Sequence, residues 1–361
     1  MRLFQNSGIY RAYRPRLERL TAGCDTFDAA MRAFLHDRFG AAHFLAPVLE
    51  GREDAFLANG DDTNCQRLWA AEQGLGPNLP LEDILLAQIE HHRTEVFYNL
   101  DPVRYGDAFL KRLPGSVKRS IAWRAAPSGG ANFLAYDAIV NNFPSLLDGY
   151  RAQGARAEYL FPGHDPEMDA YAARTERPTD VLFVGSYSRH HRVRAEMLEA
   201  IAKLRGELAI VMHLDISRYT RLAETPLGWV GPLRKDRRAA DIRAVARPPV
   251  FGRDLIEAIS RAKIVVNGAI DMAGNDRGNM RVWEALGCGA AMISDAGNYP
   301  PHILAGESFV SYDNPADISG IILELIQDKG RRDSIADFGS KTIRRFYDKK
   351  TQWKRFTEIV G

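Results

Sequence analysis

Residues 263–295 hold the side chains whose types and spacing matter most. The run is Lys263-Ile264-Val265-Val266-Asn267, then Asp276-Arg277-Gly278-Asn279-Met280-Arg281-Val282-Trp283-Glu284, then Gly287-Cys288-Gly289 and Ala290 to Asp295. It reads as strand, polar glycine-bearing loop, short helix, Gly-x-Gly turn and strand. A loop that opens into a helix brings unpaired N–H groups and the positive end of the helix dipole together. That arrangement suits an anion such as a pyrophosphate. Asn279 and Met280 stand at the helix start. Arg281, in the first turn, can add a charge-assisted bond to phosphate. Glu284, about one turn on, can accept both hydroxyls of a ribose. Asp276, in the loop, can reach sugar hydroxyls. Each has a plainer reading: Arg281 simply pairs with Glu284 or Asp276, and Asn279 is only a helix cap.

These residues need elements to position them. In the first half, Leu3-Phe4, Val96-Phe97-Tyr98, Ser120 to Trp123 and Ala138-Ile139-Val140 read as strands, and so does the apolar run Phe44 to Leu49. Helices are expected from a cap at Asp25 and over Leu81 to His92. Proline and glycine then cluster between Phe161 and Thr179, marking a linker. The alternation restarts with the strand Asp180 to Val184, which ends at Gly185-Ser186. Strands at Leu208 to Met212, Ile264 to Val266, Ala290 to Ser294 and Phe309-Val310 alternate with helices around Val193 to Leu204, Asp254 to Arg261, Met280 to Leu286 and Asp317 to Ile326. Asn314 before Pro315 suits a cap and first-turn position. Short apolar strands alternating with helices imply parallel βαβ units. The expected fold is α/β, two Rossmann-like domains facing across a cleft, with ligands at the C-terminal ends of the strands. The expected domains are residues 1–162, a linker at 163–178, a second domain at 179–343 and a last helical segment at 344–361. Gly8, in the first βα loop, and Arg124, after the strand ending at Trp123, are candidates for an acceptor side of that cleft.

Bulk properties remove whole classes of function. With 361 residues the chain has material for two cores. Its 48 Lys+Arg against 46 Asp+Glu leave a formal charge of +2, too little for a broad nucleic-acid-binding face. The three cysteines, Cys24, Cys65 and Cys288, are widely spaced, which argues against a disulfide scaffold or a zinc site and for a reducing compartment. His190 and His191 are adjacent and point in different directions, with no third ligand at a recognisable spacing, so no metal site is expected. No signal peptide or membrane span is legible, and a cytoplasmic protein is expected. Arg11, Arg14, Arg16 and Arg19, interleaved with Tyr10 and Tyr13, read as a solvated helix face, with contact to an anionic lipid surface as the second reading.

The wording from Asp276 to Glu284 resembles the signature of retaining GT-B glycosyltransferases, in which two acidic residues flank seven others; Asp276 stands where glutamate is usual. Asn279-Met280-Arg281, Glu284-Ala285 and Gly287-Cys288-Gly289-Ala290 are closest to group 1 proteins similar to the spore-maturation glycosyltransferases. Phe183-Val184-Gly185-Ser186 followed by His191 and Arg194, Pro249 to Gly252, and Gly306-Glu307 with Tyr312-Asp313 agree with that branch. The resemblance covers about residues 178–356. It implies GT-B architecture with the last helix crossing back to the first domain. It implies a nucleoside diphosphate sugar as substrate, with no cofactor, and a glycan, lipid-linked or protein acceptor in surface glycan assembly. It gives Glu284 the ribose, Asp276 the donor sugar, and Arg189, His191 and Arg192 the pyrophosphate, with Ser186 where a basic residue is usual. A nucleotide-sugar epimerase or phosphorylase on the same scaffold and a non-catalytic nucleotide-sugar or glycan binder remain open at this stage. A dehydrogenase is disfavoured, because no Gly-x-Gly-x-x-Gly follows Leu3-Phe4 or Phe183-Val184.

Overall fold

The structure is a computed structural model that describes residues 1–187, 192–215, 217–229, 233, 237–268 and 273–361, with only the backbone of Arg192, Leu227 and Trp229. It divides into two compact units. Unit 1 comprises Met1–Gly163, Met272–Asp276 and Tyr347–Gly361; unit 2 comprises His164–Asp271 and Arg277–Phe346.

Unit 1 is built on six parallel strands: β1 Leu3–Ser7, β2 Ala55–Asn59, β3 Val96–Asn99, β4 Arg119–Trp123, β5 Ala138–Asn141 and β6 Ala157–Tyr159. Their order is β2-β1-β3-β4-β5-β6. The interior strands are buried along almost their whole length, as expected where helices cover both faces of a parallel sheet. Phe4, Phe97, Leu85 and Ile89 form one core and Ala122, Ile139 and Leu147 another. Two expectations need correction. Phe44 to Leu49 is not a strand: Ala41–His43 is a 3-10 turn and Ala46–Leu49 a helical turn with Pro47 in its first positions. A short apolar run buried on all sides carries no period to separate strand from helix, and proline favours the helix start. The cap of the helix Phe27–Asp37 is Thr26, whose hydroxyl accepts from the Ala29 amide at 3.2 Å, one residue past Asp25.

The helix Lys349–Val360 belongs to unit 1 and is tied to it through one buried cation. Asp348 caps it, accepting from the Thr351 amide at 2.6 Å. Lys349 Nζ donates to the carbonyls of Ala41 at 2.7 Å, Ala42 at 3.1 Å and Phe44 at 2.8 Å. These carbonyls lie at the C-terminal end of the 3-10 turn, where a cation is favoured. Gln352 adds bonds to the carbonyls of Ala42 at 2.9 Å and Phe161 at 3.0 Å. A Cβ on Gly163 would stand 2.5 Å from Gln352 Oε1, so a larger residue there would displace Gln352 from these bonds.

Unit 2 carries β7 Thr179–Ser186, β8 Ile210–Asp215, β9 Ala246–Arg247, β10 Ala262–Val266, β11 Ala291–Asp295 and β12 Val310–Tyr312, again all parallel. The order is β12-β11-β10-β7-β8-β9. Counted within the unit, the first strand lies beside the second on one side and the fourth on the other, the dinucleotide-binding order. The β7, β8 and β10 side chains Val181, Phe183, Met212, Ile264 and Val266 pack with Leu198 and Ile201 of the helix Arg192–Lys203. Asn314 accepts from the Ala316 amide at 3.0 Å and starts the 3-10 turn Pro315–Asp317 that leads into the helix Ile318–Gln327. Among the described residues no helix is long and apolar enough to cross a membrane.

Replacing Lys349 with methionine removes a donor from three carbonyls. That of Ala41 keeps the Phe44 amide and that of Ala42 keeps the Gly163 amide and Gln352, so among the described residues the Phe44 carbonyl is the one left short. A loss of about 3 kcal/mol in unfolding free energy is expected for Lys349→Met, read as a lower urea midpoint of the full chain; an unchanged midpoint would show that the cation anchors nothing.

Candidate functional site

The sheet order of unit 2 reverses between β7 and β10, so the C-terminal ends of these two strands flank a switch point, the usual ligand position in open α/β sheets. Gly185 and Ser186 are the last residues of β7. A Cβ on Gly185 would lie 3.0 Å from the Phe183 ring, so a larger residue at this strand end would have to push that ring aside. Asn267 and Gly268 follow β10. Arg194, in the first turn of the helix Arg192–Lys203, is buried and donates to the Gly268 carbonyl. It places a guanidinium at the switch point.

Asn267 is the hub of a buried polar chain. Its Nδ2 donates to Ser294 Oγ at 3.0 Å and its backbone amide to the Ile293 carbonyl at 2.8 Å. Its Oδ1 accepts from Asn279 Nδ2 at 3.0 Å. Tyr299 continues the chain, donating at 2.6 Å to Ser294 Oγ and lying 2.8 Å from the Asp295 carbonyl. Burial pushes the Tyr299 hydroxyl well above the ordinary tyrosine value. This network fixes Asn279, and through it the start of the helix Met280–Gly287, against the ends of β10 and β11.

Asn279 occupies the cap position with extended backbone, φ −64° and ψ 163°, yet its side chain makes no capping bond. Its amide is turned to Asn267 instead. Among the described residues nothing accepts from the backbone amides of Met280 and Arg281. The helix thus presents its first-turn N–H groups and the positive end of its dipole. Two features hold the loop before it. Gly278 has φ +149°, a conformation that L side chains rarely adopt, and Trp283 Nε1 donates to the Gly278 carbonyl at 3.2 Å. Arg277 pairs with Asp295 at 2.5 Å, and its amide donates to the Asn298 carbonyl at 2.8 Å. The helix ends in a Schellman turn. Gly289, φ +64°, donates to the Leu286 carbonyl at 3.0 Å, and Ala290 to that of Ala285 at 3.1 Å.

Arg281 and Glu284 form an ion pair, Nη1 to Oε2, at 2.5 Å, with side chains only 14% and 15% exposed. The plainer reading of Arg281 therefore describes its contact in this structure. Burial raises the Glu284 carboxyl above the ordinary glutamate value, and the Arg281 guanidinium opposes that rise.

The other sequence candidates fall as follows. Arg189 and His191 lie outside the described residues. Arg192 opens its helix, with its side chain likewise outside them. Asp276 belongs to unit 1. It is 7% exposed, and its Oδ2 accepts from the Ser145 amide at 2.7 Å, in the first turn of the helix Pro144–Ala152. Ser145 Oγ donates to the Ala273 carbonyl at 2.9 Å. Gly8 follows β1, where a Cβ would come 3.2 Å from Asp101 Cβ. Close by, Asp61 accepts from the Ile9 amide at 3.1 Å and pairs with Arg14. Burial lifts the Asp61 carboxyl above its ordinary value against the pull of Arg14 and Arg104. Arg124 donates to the Pro127 carbonyl at 3.0 Å and lies 6.0 Å from the Phe133 ring centre, so it organises its own loop. Arg16 engages Asp37 at 2.6 Å, so Arg14 and Arg16 of the N-terminal cluster are both ion-paired.

Sequence reasoning did not single out Asn267, Arg277, Asp295 or Asp61. A polar residue directly after an apolar strand was the available signal for Asn267. Asp61 had none, since its meaning comes from Arg14, far away in sequence.

Comparison with known proteins fits this geometry. Residues 189–358 match the family model described as glycosyl transferase-like. No curated protein matches the chain in sequence. Among solved structures, Anabaena Alr3699/HepE in complex with UDP and glucose is 12% identical, covers 100% of this chain and 99% of its own, and superposes with a TM-score of 0.60. A glycosyltransferase from Rickettsia africae is 10% identical over 99% of this chain and 97% of its own, TM-score 0.55. The sucrose-phosphate synthase of Thermosynechococcus elongatus is 10% identical over 99% and 98%, TM-score 0.53. At such identities the likeness establishes the fold. Residues 189–358 are similar to a glycosyl transferase-like domain, and the chain as a whole has the GT-B fold.

Proposed function

We propose that the protein transfers a sugar from a uridine diphosphate sugar to a hydroxyl-bearing glycan, lipid-linked or protein acceptor in surface glycan assembly. We further propose that it acts with retention at the anomeric carbon and without a metal ion. The observation that carries this reading is the uncapped start of the helix Met280–Gly287, with a half-buried carboxylate one turn inside it. The structural neighbour Alr3699/HepE, in complexes with UDP and with UDP-glucose, supports the choice of nucleotide. The wording around Asn279 to Glu284 supports the spore-maturation-like branch.

In this reading the diphosphate lies over the Met280 and Arg281 amides. The donor breaks the Arg281–Glu284 pair: the ribose hydroxyls take the carboxylate, and the phosphate takes the guanidinium. Arg194 adds positive charge at the switch point, and Gly185 and Ser186 form the facing strand end. As the anomeric bond breaks, negative charge gathers on the leaving phosphate. Fixed amides, the helix dipole and Arg281 stabilise that charge without reorganising. The basic positions Arg189, His191 and Arg192 supplement this set. Asp276 acts on the donor sugar, its carboxylate oriented by the Ser145 amide. Gly8, beside Asp61 and Asp101, marks the acceptor side of unit 1, with Arg124 shaping a neighbouring loop.

Uridine diphosphate at about 100 times its dissociation constant is expected to stabilise unit 2 by about 2.7 kcal/mol. Thermal unfolding reads this as a rise in midpoint, absent in Glu284→Gln. No response of the wild type to uridine, guanosine, thymidine, cytidine or adenosine diphosphate would remove the donor site.

The raised Glu284 carboxyl sets a pH dependence. The ribose needs the ionised form, so affinity is full above the Glu284 pKa and falls as pH drops through it. Because that pKa is raised, the loss begins at a higher pH than for an ordinary glutamate. Titration calorimetry from pH 7.5 downward checks this, and a curve that the Glu284→Gln variant shares would assign the titration elsewhere.

Asp276→Asn keeps an acceptor for the Ser145 amide and removes the charge. Turnover is expected to fall by about 100-fold or more with little change in melting temperature. Unchanged turnover would reduce Asp276 to a helix cap.

A further inference from the structure

A cavity of about 700 Å³ opens on unit 2 far along the sheet from β7's C-terminal end. Arg177, just before β7, Lys263, near the start of β10, and Gly289, just past the helix Met280–Gly287, all line it. The strands are parallel, so these positions mark the N-terminal edge of the sheet, opposite the switch point.

Its lining includes Arg174, Arg177, Lys263, Lys329, Arg332 and Arg344. Four of them face a carboxylate: Arg174 lies 2.5 Å from Glu257, Lys263 2.6 Å from Asp180, Lys329 2.6 Å from Asp333 and Arg344 2.7 Å from Asp169. The other two are held differently. Arg177 donates to the carbonyls of Ala262 and Cys288, both at 3.0 Å. Arg332, 8% exposed, donates to the carbonyls of Leu325 at 2.9 Å and Ile326 at 3.0 Å, with Asp333 3.8 Å from its Nε. Carbonyls fix a guanidinium in place without cancelling its charge. Burial holds the Arg177 guanidinium below the ordinary arginine value, and the nearby Asp333 carboxylate offsets only part of that fall. Asp169, Asp333 and Asp337 also line the cavity, so its wall carries six cations against three carboxylates, with two guanidinium groups fixed by carbonyls and room for a molecule larger than a phosphate ion.

We propose that this cavity is a second ligand site, which binds a small phosphorylated molecule at the edge of unit 2 opposite the switch point. The phosphoryl group lies against Arg177 and Arg332, and the body of the molecule extends over Ala336. The site is independent of the donor reading, because it shares no residue with it.

Hydrogen exchange of the full chain tests this with three probes: inorganic phosphate, glucose 6-phosphate and glucose. Glucose 6-phosphate at ten times its dissociation constant is expected to slow exchange of segments 169–177 and 329–344 by about tenfold. Phosphate is expected to protect the same segments and glucose neither. Arg177→Met is expected to lose the effect. Ala336→Trp, which fills the cavity and leaves both guanidinium groups in place, is expected to lose it too, so that a misfolded arginine variant does not decide the matter. No protection by either phosphate compound, protection that survives Ala336→Trp, or protection confined to 277–287 would overturn the proposal.

Discussion

The start of the helix Met280–Gly287 is held in place by a side chain that does not cap it. A cap asparagine ordinarily turns its oxygen onto the first-turn amides. Here Asn279 gives its amide to Asn267 at 3.0 Å, so the helix is located without its positive end being neutralised. The cost of leaving a cap unmade is about 1 kcal/mol, and the surrounding network absorbs it. Asn267, Ser294, Tyr299 and the Arg277–Asp295 pair each fix one part of the loop or strand ends. The result is a preorganised anion position beside a half-buried carboxylate.

Within unit 2, sheet order explains why this position lies where it does. With β7 between β8 and β10, connections leave the sheet in opposite directions on either side of the switch point. Arg194 arrives from the helix after β7, and Asn267 from the end of β10. Unit 1 repeats the parallel design with a different order, and its buried Asp61 lies in the loop after β2 near Gly8 and Arg14. A carboxylate beside arginine and largely out of solvent recurs in both units: buried Asp61 with Arg14, and half-buried Glu284 with Arg281. Both carboxyls are raised by burial against the pull of the arginine.

Much of this was legible in the sequence, for physical reasons that differ by element. Interior parallel strands are buried on both faces, so β3, β7, β10 and β11 appear as unbroken apolar runs. The edge strand β6, Ala-Glu-Tyr, is half exposed in part and mixes polar with apolar residues, so it shows no such run; β2 does carry one, Ala55 to Ala58, but it is short and sequence reasoning did not single it out. The stretch around Phe44 failed because full burial erases periodicity. Helix Met280–Gly287 was readable from its loop, its spacing and Gly289. The partners of its residues were not. The Ser145–Asp276 bond spans 131 positions and the Lys349 anchor more than 300, and no local pattern encodes such pairs. The i,i+3 pair of Arg281 and Glu284 is the exception, because helical geometry alone brings those side chains together.

The central claim is that the exposed helix start and the Arg281–Glu284 pair together form a nucleotide site that opens when occupied. A crystal structure of the protein with uridine diphosphate tests it most directly. Phosphate oxygens are expected within hydrogen-bond distance of the Met280 or Arg281 amide, with ribose hydroxyls on Glu284 and Arg281 withdrawn from that carboxylate. Nucleotide bound elsewhere with the Arg281–Glu284 pair intact would contradict it.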